Sequence, residues 1–303
     1  MRITQRSIAV TSLQGLNRNL DAIGKLQQQL TSGKSISKPS DDPTGTNAAM
    51  QTRQELAGAT QYARNISDGL GYLDATDSAL QNMISQVKKV RDLTVQGLNG
   101  GALSDAAREA IQTEVTGIRA SLLGLANTRV QGQPIFGGVT SGGNAYDAAT
   151  GAYQGFGGTT VPPVPVVPVT RQVSDADAIR VDVTGPEAFG DPAGGDLFAV
   201  VAGIATDVVA DPAALTGHLA DLDTALNRML KAAADIGTRT SRIETAKQVN
   251  KDLQLSLTSR SADIENIDLA KTIMNLEMQK TGYEAALSAT AKAIQPTLLD
   301  FLR

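Results

Sequence analysis

Apolar residues recur at helical intervals at both ends of this chain, and that pattern limits the fold more than any other feature. From the N-terminus, Ile3, Val10, Leu13, Leu16, Leu20, Ile23, Leu26 and Leu30 are separated by threes, fours and one seven. The spacing predicts a helix of about thirty residues with one apolar stripe. In the last ninety residues, Ile236, Ile243, Leu253, Leu257, Ile264, Ile267, Met274 and Met278 are separated only by sums of three and four, and Ile294, Leu298 and Phe301 continue an apolar face. Pro296 predicts a kink or restart there. So narrow a stripe buries less than the backbone entropy of ordering its helix demands. We therefore expect both ends to order only against partners: each other, and further copies of the chain.

Between the ends the pattern changes. A second helical stretch is expected from about residue 47 to 96, with Ile66, Leu70, Leu73, Leu80, Ile84 and Val87 as its stripe. Ser104 and Asp105 offer caps for a third helix, whose seam Ile111, Val115, Ile118, Leu122, Leu125 steps by four and three. From about Gly132 the chain turns rich in Gly, Pro, Thr and Val. The alternating "IRVDVTG" predicts a strand, and Pro162, Pro163, Pro165 and Pro168 favour extended backbone. "DLFAVVAGIATDVVAD" reads as helix, and Pro212 begins another helical region. The expected fold class is α+β: an elongated rod of long coiled-coil helices from both chain ends, with a small β-rich inserted outer domain. The boundaries are 1–40 plus 265–303 for the terminal coiled coil, 41–136 plus 215–264 for a helical bundle, and 137–214 for the insertion.

Composition narrows the chemistry. Aromatics make up 3% and Trp is absent, which argues against one bulky core. Without Cys there are no disulfides, thiol catalysis or thiolate ligands. A net charge of −4 gives no nucleic-acid footprint. No run of about 18 apolar residues predicts a membrane span. "MRITQRSIAVTSLQGLNRNL" lacks an apolar core and an A-x-A site, so no cleaved secretory signal is expected.

Candidate sites point to packing. In "SISKPSDDPTGTNAAM", Pro43 suits a first helical position, Asp42 an N-cap, and the acid pair Asp41–Asp42 the positive end of a helix. The alternative, a metal site, lacks further ligands nearby in sequence. Asp41, Asp42 and Pro43 are therefore read as a structural joint. His218, the only histidine, has no G-x-S-x-G nucleophile to serve and reads as a surface helical residue. Lys88, Lys89 and Arg91 read as a solvated face or as ion-pair donors between subunits. The Gly-rich "FGGVTSGG" and "FGGTT" lack the Lys-Ser/Thr ending of a phosphate loop and read as turns. Asp263, Glu265 and Asp268 fit a polar helix face or a subunit contact equally well. No cofactor or metal site is expected.

Several stretches carry a family resemblance. "TSGKSISKPSDDPTGTNAA", "GQPIFGG", "IGTRTSRIETA" and "SRSADIENIDLAKTIMNLEMQKTGYEAALSATAKAIQPTLLDFL" together resemble the flagellar hook-associated proteins of the flagellin superfamily. The resemblance covers roughly residues 1–138 and 217–303, and the proline-rich "VPPVPVVPV" falls outside it. It implies a non-enzymatic subunit of the bacterial flagellum, in a ring joining hook to filament. Implied partners are further copies of the chain, the longer hook-associated junction protein, flagellin, and a cytoplasmic export chaperone at the C-terminal helix. It further implies unfolded export through the flagellar type III apparatus and an extracellular location, with neither nucleic acid nor membrane as partner. The assembly seams would be Leu13, Leu20, Ile23, Leu30, Ile264, Ile267, Met274, Met278, Ile294, Leu298 and Phe301. Flagellin, the filament subunit, is the alternative; "PSDDPTG" and the Met-Arg-Ile-Thr start resemble the junction subunits more.

Overall fold

The computed structural model describes residues 5–99, 103–139, 143–155, 167–191 and 195–294, with side chains from Val10 to Lys292. Its elements are α1 (Gln5–Ser32), α2 (Pro43–Leu98), α3 (Asp105–Ala126), β1 (Arg129–Val130), β2 (Gln133–Pro134), β3 (Thr170–Gln172), β4 (Ala178–Arg180), α4 (Gly185–Phe189), α5 (Leu197–Ala210), α6 (Leu215–Glu265) and α7 (Leu269–Ile294). Contacts divide them into a terminal unit, Met1–Gly58 with Leu253–Arg303, and a central unit, Ala59–Asp252.

Local chemistry sets the helix ends. Ser104 accepts from the Ala107 N–H at 3.3 Å to start α3, and Asp196 accepts from Phe198 N–H at 3.2 Å to start α5. Gly33 closes α1 in the left-handed conformation (φ +70°), with its N–H on Gln29 O at 2.8 Å. The helix expected across the last ninety residues is interrupted at 266–268. There Asp268 caps α7, accepting from Lys271 N–H at 3.1 Å. An apolar period persists across such a break, so the stripe does not reveal it.

In the central unit one hydrophobic cluster joins Ile66, Leu73, Leu80 and Val87 of α2, Ile111, Val115 and Leu122 of α3, and Leu222, Met229, Ile236 and Ile243 of α6. Ile135, Phe136, Tyr146, Ile179, Phe189 and Phe198 belong to the same cluster. Few aromatics did not prevent a continuous core, because aliphatic seams supply most of it. The aromatics are concentrated instead. Phe136 and Phe189 meet edge to face at 4.9 Å between centroids, while Tyr146 meets Phe198 at 4.7 Å and Tyr153 at 5.2 Å with tilted rings.

Strand structure among the described residues is confined to two short antiparallel pairs. β1 and β2 turn through Gln131 and Gly132, both at positive φ. β3 and β4 pair Thr170 with Arg180 and Gln172 with Ala178. Beyond β4, Val181 N–H still reaches Val169 O at 2.8 Å. Asp182 then turns fully inward, accepting from Val169 N–H at 2.9 Å and Arg180 Nε at 2.8 Å. Pro162, Pro163, Pro165 and Pro296 lie outside the described residues.

Candidate assembly site

Two interhelix joints meet in the terminal unit. The segment between α1 and α2 runs against the segment between α6 and α7, with an antiparallel bridge pairing Lys34 and Asn266. Ser35 N–H donates to Glu265 O at 2.7 Å, and Ile267 N–H to Gly33 O at 3.1 Å. At the centre lies Glu265, its side chain only 6% exposed. Arg53 of α2 grips it with two parallel bonds, Nε to Oε1 and Nη2 to Oε2, both 2.7 Å. Lys34 Nζ donates to Oε2 at 2.8 Å. Arg53 above all, and then Lys34, hold this carboxyl at about 2, well below its ordinary value.

The predicted joint residues lie where the segment after α1 enters α2. Asp42 Oδ1 accepts from Thr44 N–H at 3.0 Å and Gly45 N–H at 2.9 Å, and Pro43 is the first residue of α2. A Cβ on Gly45 would collide with the Asp42 carboxylate and the tip of the Ile36 side chain, so a larger residue there must displace the cap, the isoleucine or both. Asp41 accepts from Ser37 N–H, Ser37 Oγ and Lys38 N–H at 3.0–3.2 Å and pairs with Lys25 of α1 at 3.1 Å. Lys25, and then Ser37, lower its carboxyl to about 2. Both acids are thus committed to backbone and to α1. Among the described residues no group of three His, Cys, Asp or Glu is placed to hold a metal. Nor is any described helix long and apolar enough to cross a membrane.

Burial separates the terminal stripes into two faces. On α1 the half-buried residues include Ser12, Leu16, Asn19, Ile23, Leu26 and Leu30, in steps of four and three. On α7 the covered residues include Thr272, Leu276, Gln279, Tyr283, Ala286 and Thr290, in the same steps. The two helices pack together, with Gln279 Nε2 donating to Asn19 Oδ1 at 3.0 Å. Leu13 and Leu20 are exposed, about 90° around α1 from that seam. Met274 and Met278 are 64% and 67% exposed, about 160° and 120° around α7 from its seam. So of the predicted seam residues, Ile23 and Leu30 face inward, while Leu13, Leu20, Met274 and Met278 are uncovered. Ile264 and Ile267 are half-buried at the joint. The Ile294 side chain, Leu298 and Phe301 lie outside the described residues. The contrast between units is sharp. Among the described residues, Ala49, Leu257 and Leu276 are the terminal unit's only fully buried apolar side chains.

Three other readings change with the geometry. Lys89 pairs with Glu114 of α3 at 2.6 Å and Arg91 with Asp223 of α6 at 2.7 Å, so these cations tie helices within the chain. His218 is half-buried between α6 and α5, against Gly203, with Nε2 at 2.8 Å from Asp207 Oδ2. The acids of "SADIENID" divide: Asp263 is exposed, Asp268 caps α7, and Glu265 anchors the joint. The apolar stripe gives no signal for Glu265, since the residue one heptad beyond buried Leu257 is Ile264.

The sequence profile of the bacterial flagellin N-terminal helical region matches residues 3–141, and that of the bacterial flagellin C-terminal helical region matches residues 219–302, together well over half of the chain. The chain is 26% identical over 310 residues to flagellar hook-associated protein 3 of Salmonella typhimurium, covering 94% of this chain and 95% of that one. It is 25% identical to a flagellin of Bacillus subtilis over the full length of both. A solved structure described as a putative flagellar hook-associated protein from Vibrio parahaemolyticus superposes with a TM-score of 0.65 at 19% identity. That superposition covers 75% of this chain and all of the other.

Proposed function

This chain belongs to the bacterial flagellin family, and from that premise we propose that it is a structural subunit of the flagellum, forming the ring that joins hook to filament. The observation that carries the reading is the terminal unit. Its α1 and α7 cover one seam against each other and leave Val10, Leu13, Leu20, Ile273, Met274 and Met278 exposed. Apolar side chains at helical spacing on a pair with almost no core of its own are a surface for further copies. Neighbouring subunits in the ring cover these faces. The longer hook-associated protein lies on one side of the ring and flagellin on the other. Hook-associated proteins 3 of two species match nearly end to end at 26% and 25% identity, a flagellin matches end to end at 25%, and the "PSDDPTG" joint with the Met-Arg-Ile-Thr start favours the junction over the filament. The role is structural rather than catalytic. The chain leaves the cell unfolded through the flagellar export apparatus, with a chaperone on the C-terminal helix until then, and works outside the cell.

The test is immunogold electron microscopy of intact flagella with antibody against residues 143–191. Label in a narrow band where hook meets filament is the expected result. Label along the whole filament makes the chain a flagellin. Label absent from flagella, with the epitope detected elsewhere, overturns the flagellar assignment.

A further inference from the structure

Glu265 ends α6, yet its carboxylate is held by Arg53 from α2 and by Lys34 from the segment after α1. Its carbonyl accepts from Ser35 N–H. One residue away the backbone pairs with Lys34, and two residues away Ile267 N–H reaches Gly33, where α1 stops. These bonds exist together only when the end of α1 and the start of α7 lie side by side. Beyond this contact and the Asp42 cap, the first turns of α2 bury little. Between Pro43 and Gly58 the fully buried residues are Ala49 and Thr52, a methyl group and a hydroxyl. The Thr52 hydroxyl bonds only within its own helix, to Ala48 O at 2.9 Å.

We propose that Glu265 is a coupling latch: pairing of α1 with α7 orders the first four turns of α2 through the Glu265–Arg53–Lys34 contact. The proposal goes beyond the subunit reading, because it concerns how order spreads within one free chain. Arg53 supplies the geometry, since its planar fork fits both carboxylate oxygens, and Lys34 supplies a second charge on Oε2. Without the latch the terminal pair and the start of α2 order independently.

The chain has no cysteine, so an introduced pair is uniquely reactive. Asn19→Cys with Gln279→Cys replaces the hydrogen-bonded pair across the α1/α7 seam. A short bifunctional maleimide then fixes the two helices together in the full-length monomer. Hydrogen exchange is read over residues 43–52, with and without the cross-link, in the Glu265 and Glu265→Gln backgrounds. The latch predicts that cross-linking slows exchange there at least about tenfold with Glu265, and less than about threefold with Gln. Arg53→Lys, which keeps the charge and loses the fork, should fall between them. Equal slowing in the Glu and Gln backgrounds, or no slowing with Glu265, overturns the proposal. Neither outcome depends on whether the assembled protein sits at the junction or in the filament.

Discussion

A carboxylate gripped by Arg53 and Lys34 keeps its charge to low pH. The folded value of Glu265, about 2, lies below its ordinary 4.5. The group therefore stabilises the fold fully above about pH 4.5, and the contribution is lost as pH falls toward 2. Asp41, lowered from 3.8 to about 2 by Lys25 and Ser37, acts in the same direction over a similar window. Exchange protection of the Ser35 and Ile267 amides, corrected for the intrinsic rate, should fall between pH 4.5 and 2. Glu265→Gln should remove protection there at pH 7 and leave the central unit unchanged. Gly45 supports a second prediction. Replacing a helix glycine by Ala ordinarily stabilises by about 1 kcal/mol. At Gly45 the new methyl displaces the Asp42 cap, worth about 1 kcal/mol or more, and presses on Ile36. Gly71, exposed on the same helix with open space around it, has no such neighbour. Denaturation should show Gly71→Ala stabilising by about 0.5–1 kcal/mol. Hydrogen exchange over residues 43–48 should show Gly45→Ala loosening the start of α2.

At the scale of elements, periodicity located the helices but not their partners. The stripe on α1 merges two faces, because threes and fours alike keep a residue within half a turn of the last. Leu16 and Leu13 look equivalent in the sequence, yet only Leu16 is covered. On α7 the apolar period runs through the exposed Met274 and Met278, while the inward face carries Thr272, Gln279 and Thr290 along with Leu276 and Tyr283. Caps were more legible than seams, since Ser104 and Asp42 act within three residues of themselves. Glu265 was not legible as an anchor. Its partners are 212 and 231 residues away, and no local rule reaches so far. The two faces of α7 predict opposite behaviour. Leu276→Ala should weaken α1/α7 pairing in the monomer by about 2 kcal/mol, seen as faster exchange in both helices. Met278→Ala should leave that exchange unchanged and impair assembly, seen as loss of subunit from isolated flagella.

At the scale of the whole molecule, apolar burial is divided unevenly. The central unit holds nearly all the fully buried side chains, from Ile66 to Ile243, and the terminal unit lives on one thin seam and a charged joint. Limited proteolysis of the monomer should therefore trim both ends toward the 59–252 boundary. The remaining core should melt at nearly the temperature of the intact chain, and the ends should resist protease within the flagellum. The aromatic side chains are divided in the same way, and that gives the protein a built-in optical label. With no tryptophan, near-ultraviolet absorption and emission come mainly from five tyrosines. Four of them, Tyr62, Tyr72, Tyr146 and Tyr153, belong to the central unit, and Tyr283 alone lies on the α7 face that meets α1. Tyr146 and Tyr153 sit in a ring cluster whose mutual tilt makes their circular dichroism sensitive to packing. The dichroic signal thus follows the ring cluster of the central unit, and a chain carrying Tyr283 as its only emitter would report the closing of its two ends by its own light.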